Sequence, residues 1–140
     1  MSKQYHETQI EVKYRDTDSA GHVSSPVYYD YLQHAYLKYM FNLLDAKHSE
    51  KLPQIMVKTA CEYVKPAHFG DVLTVRSSIT KFGTKSFEVE YLMSVDDAKP
   101  EPALIARASS THVMYDYATN RTAPVTDDFK QRVLDFQGTL

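Results

Sequence analysis

One stretch alone in the first hundred residues repeats its apolar side chains at long helical spacing. Val27, Tyr28, Tyr31, Leu32, Ala35, Tyr39 and Leu43 recur every three or four positions, with Asp30, Gln33 and Lys38 off that stripe. Ser24 or Ser25 can cap the helix, and Pro26 suits its first position, where a missing N–H costs nothing. The pattern runs to about Leu44. A lone long helix must bury its stripe against something, and the rest of the chain reads as strands.

Before the helix, Ile10, Val12 and Tyr14 alternate with Glu11 and Lys13, the period of a half-buried strand, and Asp16 to Gly21 supplies a turn. After it, Gln54 to Val64 is apolar and mixed, and Lys65-Pro66 breaks it. Leu73 to Thr80 and Phe87 to Val95 alternate on either side of Phe82-Gly83-Thr84, a short hairpin connection. Ala103 to Tyr115 forms a further long strand rich in small residues. Asp127 to Phe136 predicts a short terminal helix capped by Asp127 or Asp128, with Phe129, Val133 and Phe136 on one face. One strand, one long helix and four strands on tight connections predict a single α+β domain over residues 1–140, an antiparallel sheet wrapping one helix.

The overall balance removes several function classes. With 43% hydrophobic and 24% charged residues the chain has the composition of a globular domain that buries a core without staples. A formal net charge of −2, with scattered Lys and Arg, offers no basic stripe for nucleic acid. No run reaches membrane-spanning length and residues 1–15 lack a secretory apolar stretch, so a cytoplasmic location is expected. Cys61 stands alone and reads as a packed thiol, and the six histidines form no HExxH-like pair, so neither a metal nor another cofactor is expected. Five of eleven tyrosines, Tyr28, Tyr29, Tyr31, Tyr36 and Tyr39, crowd into one window, which predicts burial against partly polar surroundings.

The chemistry concentrates at the turn before the helix. Asp18 sits where a carboxylate meets the positive end of a helix, beside N–H groups that can polarise a carbonyl. Pro26 donates nothing, which leaves the N–H of Ser25 or Val27 as the donor, and the Ser25 hydroxyl as a cap. Asp16 reads as holding the turn or pairing with Arg15, and His22 as a structural neighbour.

Tyr14-Arg15-Asp16-Thr17-Asp18, followed by Gly21-His22-Val23 and by Tyr28 and Tyr31, resembles the signature of hotdog-fold acyl-CoA thioesterases of the 4-hydroxybenzoyl-CoA thioesterase type. Lys65-Pro66-Ala67-His68-Phe69-Gly70-Asp71 and Lys85-Ser86-Phe87 agree with it in order and spacing. The resemblance implies a five-stranded hotdog subunit that joins sheets into a homodimer or a dimer of dimers, and hydrolysis of an acyl-CoA at a site shared across that interface. It makes Asp18 the catalytic carboxylate, as nucleophile or general base, and favours the Ser25 amide over that of Val27. Tyr28 falls among the substrate-binding positions, and Lys85, with Lys81 nearby, matches a position that contacts the nucleotide.

Where related members carry a helix glutamate followed by Ala-Arg, this chain has His34-Ala35-Tyr36. His34 then orients water or holds the acyl group if it faces the pocket. Two alternatives stand beside hydrolysis: a hotdog dehydratase or hydratase using His22 or His34 with a carboxylate, and an acyl-CoA-binding module without turnover.

Overall fold

In a computed structural model of the chain, residues 2–47 and 51–140 are described, and His48 lies outside them. The elements run β1 (His6–Glu11), α1 (Val27–Leu44), β2 (Gln54–Tyr63), β3 (Val72–Phe82), β4 (Ser86–Val95), β5 (Ala103–Asp116), β6 (Arg121–Thr122) and α2 (Asp127–Gln137). The strands form one antiparallel sheet in the order β1-β3-β4-β5-β2, with β6 paired to β5. This is the hotdog arrangement, an α+β fold with one long helix against the sheet. The two-residue β6 is a sixth strand that sequence periodicity does not show, because two exposed residues carry no alternation.

The alternation in β3 and β4 converts directly into a core. Leu73, Val75, Ile79, Phe87, Val89, Tyr91 and Met93 are buried on the sheet, and Tyr28, Tyr31, Leu32, Ala35, Tyr36, Tyr39 and Met40 on α1. Each large side chain so removed from water contributes about 1.5–3 kcal/mol against chain entropy. The buried tyrosines meet polar partners: Tyr31 donates to Asp16 at 2.8 Å, Tyr36 to Gln54 at 2.7 Å and Tyr39 to Gln137, while Tyr28 accepts from the Ala67 N–H at 3.3 Å. Tyr29 stays exposed.

Three boundaries differ from the sequence expectations. The first strand is His6–Glu11 rather than Ile10–Tyr14, because Tyr14 enters a 3-10 turn. There the Lys13 N–H donates to the Asp16 carboxylate at 3.0 Å and the Thr17 hydroxyl to the Tyr14 carbonyl at 2.7 Å, leaving Tyr14 77% exposed. At the start of α1 neither Ser24 nor Ser25 caps with its side chain; Pro26 itself holds the cap position, with helical dihedrals, and the Val27 N–H turns back to the Ser24 carbonyl at 2.9 Å. α2 is capped by Thr126, whose hydroxyl accepts from the Phe129 N–H at 3.1 Å; Asp127 and Asp128 lie one residue too late and supply charge to the first turn instead. Among the described residues, no helix is long and apolar enough to cross a membrane.

α2 packs beside α1 and is pinned to β3 through one residue. Extending the β1–β3 register beyond His6 opposite Ser77 would place Gln4 opposite Ile79. The Gln137 carboxamide takes that place, accepting from the Ile79 N–H at 2.7 Å and donating to the Ile79 carbonyl at 2.9 Å. The Gln4 N–H in turn donates to the Gln137 backbone carbonyl at 2.9 Å.

Candidate active site

The acidic turn is fixed by its own backbone. The Asp18 N–H donates to the His22 carbonyl at 2.8 Å, and the Gly21 N–H donates back to the Asp18 carbonyl at 3.0 Å. Gly21 has φ +80, a conformation costly for residues with a Cβ. The turn is then clamped to the Lys65–Asp71 segment: the Val23 N–H donates to the Ala67 carbonyl at 2.8 Å, and His22 pairs with His68. The two sequence blocks, well separated in the chain, thus meet in space.

Between them lies a cleft of about 450 Å³ in which Asp18, Ser25 and Tyr28 converge with His22, Tyr63 and Lys65. The Asp18 carboxylate has its Oδ1 held by the Ala20 N–H at 2.9 Å, while Oδ2 has no partner among the described residues. One oxygen is oriented and the other left available. Asp16 serves the scaffold, its Oδ2 taking both the Lys13 N–H and the Tyr31 hydroxyl. Burial, with Asp16 adding to it, pushes the Tyr31 phenol well up from its ordinary value, so Tyr31 stays a donor.

The amides at the helix start divide as their hydrogen bonds dictate. The Val27 N–H is spent on the Ser24 carbonyl, and the Ser24 N–H on the Asp16 carbonyl at 2.9 Å. The Ser25 N–H has no acceptor among the described residues. A carboxylate oxygen and a backbone donor therefore stand unspent in one cleft at the positive end of an 18-residue helix.

His34, Lys81 and Lys85 are not in this cleft. His34 is exposed on α1. Lys81 and Lys85 flank the β3–β4 turn, with the Lys85 ammonium 3.4 Å from the Thr122 hydroxyl. Tyr63 pairs with Ala106 and Ala106 with Met93, whereas Ile55 pairs with Val113 and Val113 with Ser86. The lysines thus occupy the other end of the sheet from Tyr63, roughly 25 Å along the strands of one chain. Tyr63 and Lys65 went unseen in the sequence as site residues: the Lys65-Pro66 break marks the end of a strand, but nothing in periodicity shows that end folding over the helix start. Cys61 is half-buried, and burial pushes its thiol up, which leaves it weakly nucleophilic.

A family model described as the thioesterase-like superfamily matches residues 12–133. The chain belongs to that superfamily. Membership gives the enzyme class, a thioester hydrolase. Among solved structures, a mutant 4-hydroxybenzoyl-CoA thioesterase complexed with 4-hydroxybenzoyl-CoA is 22% identical, with a TM-score of 0.79, covering 93% of this chain and 99% of that one. A 1,4-dihydroxy-2-naphthoyl-CoA thioesterase from Synechocystis is 24% identical, with a TM-score of 0.73 and coverage of 94% and 96%. A thioesterase from Thermus thermophilus, complexed with coenzyme A and zinc, is 22% identical, with a TM-score of 0.82 and coverage of 96% and 95%. No curated protein matches the chain. At these identities the structural likeness is one of fold, and for this member of the thioesterase-like superfamily the chemistry rests on its own cleft.

Proposed function

We propose that the chain hydrolyses an acyl-CoA thioester to the free acid and coenzyme A, with Asp18 as the acting carboxylate and the Ser25 N–H polarising the carbonyl. The observation that carries this reading is the unpartnered Asp18 Oδ2 sharing a cleft with the unspent Ser25 amide. As general base, Asp18 takes a proton from water while the water oxygen attacks the carbonyl carbon. The carbonyl becomes an oxyanion facing the amide, the C–S bond then breaks, and the thiolate takes up a proton. As nucleophile, the Asp18 carboxylate attacks the carbonyl carbon, and the C–S bond breaks to release the thiolate, which takes up a proton. Water then opens the resulting acyl anhydride to the free acid and the Asp18 carboxylate. Both routes use the same two groups.

The working unit is a dimer made by joining sheets. β2 is an edge strand, and Ile55, Met56, Val57, Tyr63 and Val64 are exposed along or just beyond it in one chain. An antiparallel β2–β2 junction about a two-fold axis brings the Gln54 end of one strand to the Tyr63 end of the other. Lys85 of the partner subunit then stands about 15 Å across the joined sheet from Tyr63, within reach of the nucleotide of a CoA whose thioester lies at Asp18. This restores Lys81 and Lys85 to the site from across the interface.

Release of free thiol from a panel of acyl-CoAs, with Asp18→Asn beside the wild-type chain, tests the reading. Hydrolysis lost in the variant supports it; binding without turnover in the wild-type chain makes the protein a binding module. Hydration of an enoyl-CoA makes it a hydratase, a reading kept open by His22 in the same cleft.

A further inference from the structure

The Ser25 backbone is held in an unusual way for a residue asked to aim a donor. Its neighbours Ser24 and Val27 are tied by main-chain hydrogen bonds, whereas Ser25 makes none. Its only hydrogen bond among the described residues is to a side chain: the Tyr63 hydroxyl donates to the Ser25 carbonyl at 3.0 Å. The Tyr63 ring meets Tyr28 edge-on, centroids 4.9 Å apart at 67°, and the Tyr28 hydroxyl accepts from Ala67. Two tyrosines thus clip the helix start to the segment leaving β2, and the cleft lies at that clip.

From this, and resting on the hydrolase reading above, we infer that Tyr63 is a positioning residue: its hydroxyl fixes Ser25 so that the Ser25 N–H is aimed at the substrate carbonyl. Pro26 restricts Ser25 toward extended backbone, and the Ser24 carbonyl, which shares a peptide unit with the Ser25 N–H, accepts from the Val27 N–H at 2.9 Å. A donor's contribution falls steeply once it tilts away from its acceptor, and the Tyr63 tether holds the peptide unit that follows, so that both sides of Ser25 are pinned and its N–H keeps its aim. A Tyr63 that merely walled the cleft would act on binding. A tether acts on the chemical step.

Tyr63→Phe keeps the ring and its contact with Tyr28 and removes the hydroxyl, and with it the tether to Ser25 and the contact with Tyr29. The expected result is a kcat lower by about ten- to a hundredfold, the range for a reacting group moved slightly out of place, with KM within about twofold and the melting temperature close to wild type. In a Ser25→Pro background, where the amide is gone, Tyr63→Phe should cause no further loss. The carbonyl stretch of a carbon-13-labelled benzoyl-CoA analogue, with methylene in place of sulfur, should fall on binding to the wild-type chain and fall less in Tyr63→Phe. An unchanged kcat, a raised KM alone, losses that multiply in the double variant, or equal carbonyl shifts would each overturn the role. A wild-type complex with no carbonyl shift would instead remove the polarising amide itself, and absence of thiol release from every acyl-CoA of the panel would remove the hydrolase reading; either result ends this proposal too.

Discussion

The role proposed for Asp18 rests on what surrounds it rather than on burial. The residue is exposed, one oxygen is oriented by the Ala20 N–H, and the turn's main-chain hydrogen bonds hold its backbone in place. Asp18→Ala should leave the fold and melting temperature intact while turnover drops at least about a hundredfold, as for a positioned acid–base group. Near-normal turnover would take Asp18 out of the mechanism. His112 is the opposite case, a core histidine with no catalytic surroundings. Its ring lies between Tyr36 at 3.9 Å and Phe87 at 5.2 Å, and Nε2 bonds the Ser110 hydroxyl, which bonds Tyr91. No charged group faces it in these contacts, and burial lowers it from 6.5 to about 4. The folded chain therefore resists a proton that the unfolded chain accepts. Stability should be full above about pH 6.5 and fall by about 3 kcal/mol as pH drops toward 4, below which both states are protonated. Urea titrations across that window should show a flatter slope for His112→Phe; an equal slope would refute the assignment.

At the scale of elements, the pins between them matter more than their lengths. Gln137 is fully buried, and its one carboxamide serves Tyr39 on α1 and both main-chain groups of Ile79 on β3. Gln137→Ala leaves three buried groups without that partner, and with a cost of about 1–3 kcal/mol for each unmet group the chain should lose on the order of 3 kcal/mol by chemical denaturation. A loss below about 1 kcal/mol would mean that water or α2 readily fills the gap. Such pins explain the limits of the sequence reading. α1, β3, β4 and β5 were legible because local periodicity and core burial agree in them. The ends of β1 and the cap of α2 were not, because Asp16 and Thr126 decide them by hydrogen bonds that leave no periodic trace. The cleft was half legible: Asp18, Ser25 and Tyr28 lie in one local stretch, whereas Tyr63 reaches them through a contact 38 residues apart in sequence.

At the scale of the molecule, the chain displays an apolar edge that a second copy would cover. Val57→Lys on β2, 59% exposed, should shift the protein toward monomer in size-exclusion chromatography and lower turnover with it; a fully active monomer would remove the shared site. Lys85→Ala should raise KM for CoA esters and barely affect a truncated thioester lacking the nucleotide. Equal weakening of both would refute the phosphate contact.

The meeting of Gln4 with Gln137 has a practical corollary. Gln4 and Gln137 lie side by side, so a short flexible peptide can link the chain next to each of them without disturbing either helix. Opening the covalent ring so formed within the exposed turn at residues 96–102 would yield a circular permutant with the same sheet order, and its ends would be convenient places to attach a reporter.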